Sequence, residues 1–76
     1  MKARLLVVDD ESAIRDTMRM LLEYDGYEVL VAGSGHEGLA MVERDHPDLV
    51  FLDVKMPGMD GLEVLRSLRR RGERIP

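Results

Sequence analysis

The sequence contains no cysteine, so neither a disulfide framework nor a thiolate metal site is available to it. That absence suits a reducing compartment. No apolar run is longer than Leu5–Val8, far short of what a membrane span needs. The basic start Met1-Lys2-Ala3-Arg4 is soon followed by acidic Asp9-Asp10-Glu11, which is not the pattern of a signal peptide. A cytoplasmic protein without membrane contact is the expectation. Tandem repeats, low-complexity stretches and linkers are missing too. At 76 residues the chain has room for one domain at most. Cores of this size often need a metal or a partner subunit to be stable.

An excess of positive charge is also lacking. The formal net charge is −4, which argues against indiscriminate nucleic-acid binding by this segment. The charge is unevenly spread. Acidic residues gather at Asp9, Asp10, Glu11, Asp53 and Asp60, and basic ones at Arg66, Arg69, Arg70, Arg71 and Arg74. A solvated helix end, where cations suit the macrodipole, explains the arginines better than a nucleic-acid patch does.

The order of elements can be read from periodicity. Arg4 to Asp9 is nearly all apolar, as in a strand buried on both faces of a parallel sheet. Ile14, Met18, Leu21 and Leu22 then fall on one face of a helix, and Gly26 stands where a C′ glycine would stop it. Tyr27–Ala32 is β-branched and aromatic enough for a second strand. Ser34-Gly35-His36-Glu37 is a capping box opening a second helix, with Leu39, Ala40, Met41 and Val42, which Pro47 blocks beyond His46. Asp48–Asp53 is the third strand. Asp60-Gly61-Leu62-Glu63 caps a third helix bearing Leu62, Val64, Leu65 and Leu68, and Gly72 can end it. Ile75-Pro76 looks like the start of another strand. Strands alternating with helices predict a parallel α/β sheet with right-handed crossovers.

Three carboxylates carry the chemistry. Asp9 and Asp10 end the first strand and Asp53 ends the third. Ligands of open α/β sheets bind beyond the carboxyl ends of the strands, where the strand order reverses. With the order 2-1-3, the reversal lies between strands one and three, so the three acids share one rim. Close carboxylates repel one another, and a hard cation relieves the repulsion. Mg2+ takes oxygen ligands and keeps several waters. A carboxylate can itself be a nucleophile and form an aspartyl phosphate. The plainer alternative leaves Asp9 and Asp10 as acids at a helix N-terminus and Asp53 as a strand end. It explains each residue singly better than it explains all three at matched strand ends.

At this point the sequence resembles a known family. Val7-Val8-Asp9-Asp10-Glu11, and then Leu49-Val50-Phe51-Leu52-Asp53-Val54-Lys55-Met56-Pro57-Gly58-Met59-Asp60-Gly61, are similar to the receiver domain of two-component response regulators. The likeness covers the whole chain. It implies a flavodoxin-like (CheY-like) three-layer fold over residues 1–76, truncated to three βα units. It also implies that Asp53 is the phosphoacceptor for a histidine kinase or phosphotransfer protein. Asp9, Asp10, Asp53 and the backbone carbonyl of Lys55 would hold Mg2+, or Mn2+ in its place. Met56 and Pro57 would shape the loop after the acceptor, with Gly58 and Gly61 allowing its turns. His36 and His46 are expected to be exposed and without a chemical role, since the phosphodonor histidine belongs to the partner.

The resemblance also sets expectations for what the chain lacks. Complete receivers carry a Ser/Thr after the fourth strand and a Lys after the fifth, neither of which these residues reach. The 76-residue chain is therefore expected not to be a competent switch, nor an enzyme in the usual sense. A haloacid-dehalogenase-type phosphohydrolase fits poorly, because Lys55 stands where its second acid belongs. The third strand should become an open edge bearing Val50, Phe51 and Leu52. A homodimer through that edge, ordered 2-1-3-3′-1′-2′, is the expected way to cover it, with exchange of an element between copies as the alternative. In that case the chain acts only as a self-associating structural unit.

Overall fold

The computed structural model describes residues 2–54 and 56–72. The start of a further strand expected at Ile75-Pro76 lies outside them, as does Lys55. Six elements alternate strictly: β1 (Arg4–Val8), α1 (Ser12–Tyr24), β2 (Glu28–Ala32), α2 (Gly35–Asp45), β3 (Leu49–Leu52) and α3 (Gly61–Arg70). The strands form one parallel sheet ordered β2-β1-β3, the arrangement expected from the sequence. Each strand is a residue or two shorter than its apolar run. Asp9 and Asp53 fall just past the ends of β1 and β3.

Central β1 sets the register. Leu5 faces Val29 on one side and Leu49 on the other, and Val8 faces Ala32 and Leu52. Its side chains from Leu5 to Val8 are all buried, as a strand covered on both faces requires. Alternation sends Leu6 and Val8 to one face, where they join Leu39 and Val42 of α2 and Val64 and Leu68 of α3 in a single core cluster. Leu5 and Val7 face the other way, under α1.

The helix ends follow the sequence signals closely. Ser34 Oγ accepts the Glu37 N–H at 3.1 Å, and the Glu37 carboxylate accepts the Gly33 N–H at 3.4 Å. The box thus closes one residue earlier than its usual form, on Gly33 rather than on Ser34 itself. Asp60 Oδ1 accepts the Glu63 N–H at 2.9 Å to cap α3. α1 stops at Gly26, whose φ of 95° suits only a residue without a side chain. α2 ends on His46 in the left-handed region, at φ 49°, immediately before Pro47.

One face is more thinly covered than periodicity suggests. Of the Ile14, Met18, Leu21, Leu22 stripe of α1, Met18 and Leu22 are half-buried, and no residue of α1 is fully buried. Leu21 keeps 60% of its surface exposed and Ile14 39%. α2 and α3 pack on each other, whereas α1 packs alone on its face, against β1 and β2. Phe51, which shares that face with Val7, remains 36% exposed.

At the opposite end of the sheet Arg4 ties three elements. Its N–H donates to Asp48 Oδ2 at 2.7 Å, its Nε to Glu28 Oε1 at 3.2 Å, and its Nη1 to the Asp45 carbonyl at the end of α2. Arg71, just past α3, donates to Glu43 of α2 at 2.9 Å. The arginine-rich end of α3 is a solvated helix terminus, with Arg70 turned back onto Ser67 Oγ at 3.1 Å.

Candidate functional site

The sheet's register builds the site. Val8 pairs with Leu52, so the residue after each stands at the same level on adjacent strands. The ladder runs one step past the strands, with the Asp53 N–H donating to the Val8 carbonyl at 3.0 Å and the Asp9 N–H to the Ala32 carbonyl at 3.1 Å. Asp9 and Asp53 are thereby fixed side by side at the carboxyl edge, and Asp10 follows at the turn into α1. Each of the three offers a carboxylate oxygen, and these oxygens lie within 4.8 Å of one another. Asp10 is exposed while Asp9 and Asp53 are half-buried. Among the described residues this is the one acidic group so gathered.

Asp9 is held more firmly than its neighbour. Its Oδ1 accepts the Glu11 N–H at 2.9 Å, and its carbonyl accepts Arg15 Nη1 at 2.8 Å. Glu11, at the N-cap of α1, makes no side-chain cap bond of its own. Asp9 therefore does part of the work that the plainer reading gave it, steadying the first turn of α1. Sharing the rim with Asp10 and Asp53 goes beyond that reading. A turn fixed at Asp9 and an oxygen set of this kind suit a hard divalent cation.

The β3–α3 loop closes over the site from below. Met56 is 7% exposed and belongs to the core cluster, so it anchors the loop rather than presenting a sticky surface. Gly58 turns the chain at φ 80°. Gly61 serves differently from the expectation. Its φ is not in the left-handed region, and what it permits is contact, since its N–H donates to the Val54 carbonyl at 3.0 Å beneath Asp53. Asp60 is committed to capping α3 and takes no part in the acidic group. The Lys55 carbonyl lies outside the described residues. His36 and His46 are both exposed.

Sequence reading passed over Arg15. The available signal was a cation in the first turn of a helix, where the macrodipole disfavours it and a local acceptor is needed to keep it.

Comparison with known proteins agrees with the fold. The family model described as response regulator receiver domain matches residues 5–76. Response regulator MprA of Mycobacterium leprae is 51% identical over 73 residues, covering 96% of this chain and 32% of the relative. The Mycobacterium tuberculosis protein of the same name is 49% identical over 76 residues, covering 100% of this chain and 33% of the relative. The chain thus spans about a third of the length of these curated relatives. The chemotaxis protein CheY4 of Vibrio cholerae superposes with a TM-score of 0.90 at 36% identity, over 95% of this chain and 60% of that one. The response regulator TrrA of Thermotoga maritima, solved in complex with Mg(2+)-BeF, superposes with a TM-score of 0.87 at 45% identity, over 93% and 61% of the two chains. Among the described residues no helix is long and apolar enough to cross a membrane.

Proposed function

The chain belongs to the response regulator receiver family of two-component systems, and on that premise we propose that Asp53 accepts a phosphoryl group with Asp9 and Asp10 holding Mg2+ beside it. The observation that carries the proposal is the convergence of the three carboxylates within 4.8 Å at the ends of β1 and β3. The Mg(2+)-BeF complex of the Thermotoga maritima relative supports it by analogy. When bound, the cation would neutralise charge on the carboxylates and on the phosphoryl oxygens. The Lys55 carbonyl completes the proposed ligand set, and Mn2+ would substitute.

The chain's own residues supply the rest. Asp53 is aimed by the Val8–Asp53 ladder bond, so its carboxylate is presented at the rim rather than buried in the sheet. One of its oxygens forms the new O–P bond. The P–N bond of a phosphohistidine breaks, and the imidazole nitrogen leaves with the electron pair and takes a proton from water. Histidine kinases and phosphotransfer proteins are the donors proposed, in a cytoplasmic setting.

Intact-mass measurement after incubation with a small phosphodonor and Mg2+ tests the reading. One phosphoryl increment is expected, lost on Asp53→Asn. An increment that survives Asp53→Asn would place the acceptor elsewhere.

A second reading concerns the chain as it stands. Among the described residues β3 is paired on one side only, and Val54, Leu62 and Leu65 beside that edge are 57%, 49% and 40% exposed. Self-association through β3 would cover them, and two-fold symmetry is the commonest way to do so. Sedimentation over a wide concentration range decides, and a monomer that stays compact at high concentration would rule the dimer out.

A further inference from the structure

Gly33 is the residue after β2, and nothing in its backbone demands glycine. Its φ lies outside the left-handed region where Gly26, Gly58 and Gly72 sit. Its surroundings explain it instead. A Cβ placed on Gly33 would stand 3.2 Å from Arg15 Nη1, 3.6 Å from Arg15 Cζ and 3.9 Å from Arg15 Nη2, and these are the three nearest heavy atoms. The guanidinium of Arg15 therefore lies across the bare backbone of residue 33. From there its Nη1 donates to the Asp9 carbonyl at 2.8 Å.

Three bonds then fix Asp9. The β-ladder takes its N–H, Glu11 donates to its side chain, and Arg15 donates to its carbonyl. The last is the only one supplied by a long side chain reaching across to the next loop. It sets the peptide plane between Asp9 and Asp10, and so the direction in which Asp10 leaves the strand. We propose that Arg15 is a positioning residue for the acidic pair, and that Gly33 lacks a side chain because the guanidinium needs that seat. The inference rests on the reading that Asp9, Asp10 and Asp53 hold a divalent cation. It adds that cation affinity is set by a residue that touches no ligand atom, and by the size of a second residue on the neighbouring loop. Outer partners of this kind orient the ligands and are worth about 10–100-fold in metal affinity.

The geometry dictates a double-mutant cycle on this chain. Mg2+ affinity is measured by calorimetry for the parent, Arg15→Ala, Gly33→Ala and the double variant. The amide signals of Asp10 and Glu11 are recorded without cation by NMR. Arg15→Ala is expected to weaken Mg2+ about tenfold and to move both amide signals. Gly33→Ala is expected to do the same to a lesser degree, by shifting the guanidinium a few tenths of an ångström on its seat. With the guanidinium gone, the methyl of Ala at 33 meets none of the atoms that crowded it, so the double variant should be no worse than Arg15→Ala alone. Losses that simply add would overturn the seat at Gly33. Unchanged affinity with unmoved amide signals in Arg15→Ala would overturn the positioning role. A parent that binds no Mg2+ would refute the cation site itself, and the cation-free amide signals would still decide whether Arg15 sets the loop.

Discussion

Gly61 faces the carbonyl oxygen of Asp53 so closely that a Cβ on residue 61 would stand 2.2 Å from it. No real side chain tolerates that separation, and the obstacle is backbone rather than a movable side-chain tip. The first residue of α3 and Asp53 are therefore locked at contact distance. Gly61→Ala is expected to destabilise the fold by about 1–3 kcal/mol, as overpacking does. It should also displace Asp53 from the rim. Thermal unfolding by circular dichroism checks the first effect and Mg2+ affinity the second. An unchanged midpoint would mean that the loop absorbs the methyl without moving Asp53.

Asp10 is the most exposed of the three acids, so its removal should disturb the cation without disturbing the core. Asp10→Ala is expected to weaken Mg2+ by more than the roughly tenfold typical of an outer partner. Metal titration followed through the NMR signals of Asp9, Asp10, Asp53 and Lys55 gives the answer. A folded protein with no shift at these positions would defeat the site.

The Ser34 hydroxyl accepts the Glu37 N–H and so caps α2. Ser34→Ala should cost about 1 kcal/mol, the usual value of a lost N-cap. Because the bond is at the surface, the urea midpoint should fall with no change in slope. A steeper or shallower transition would show that α2 does more than pack on the sheet.

Asp45 gives a pH signature. The Arg44 guanidinium donates to its carboxylate at 3.0 and 2.9 Å and holds it below the usual carboxylate range, with a smaller contribution from Arg4. A carboxyl whose folded value is depressed stabilises the fold above its unfolded value, near 4, and loses that contribution as pH falls through the lower folded value. Acid titration of the parent against Asp45→Asn should show the two curves converging below about pH 4. Since the pair is solvent-screened, the difference should be small and should shrink further in salt. Curves that stay parallel to low pH would remove Asp45 from the account of acid stability.

Much of this architecture was legible beforehand, for identifiable reasons. The apolar runs around Val7 and Phe51 suited strands of a parallel sheet, although β3 proved less buried than β1. Ser34 and Asp60 marked helix starts because a side-chain acceptor followed three residues later by Glu is a local signal. The acidic rim followed from strand order, since order decides which strand ends are neighbours. What escaped were relationships among residues distant in sequence. Periodicity identified the apolar side of α1 but not how little lies over it, so the exposure of Leu21 was invisible. Arg15 on Gly33 and Arg4 on the Asp45 carbonyl depend on loops meeting in space, and no spacing along the chain encodes either.

The central position of β1 also imposes an order of assembly. Arg4 and its β2 partner Glu28 are 24 residues apart, while Arg4 and Asp48 at the start of β3 are 44 apart. Closing the shorter loop costs about 0.5 kcal/mol less, so β1 and β2 are favoured to zip first, with Asp9 and Asp10 already in place. β3 then arrives carrying Asp53 just past its end, and that carboxylate docks against those of Asp9 and Asp10. Electrostatic repulsion thus falls on the final step of folding rather than the first. A divalent cation in the refolding buffer would speed that late step and leave the early one alone.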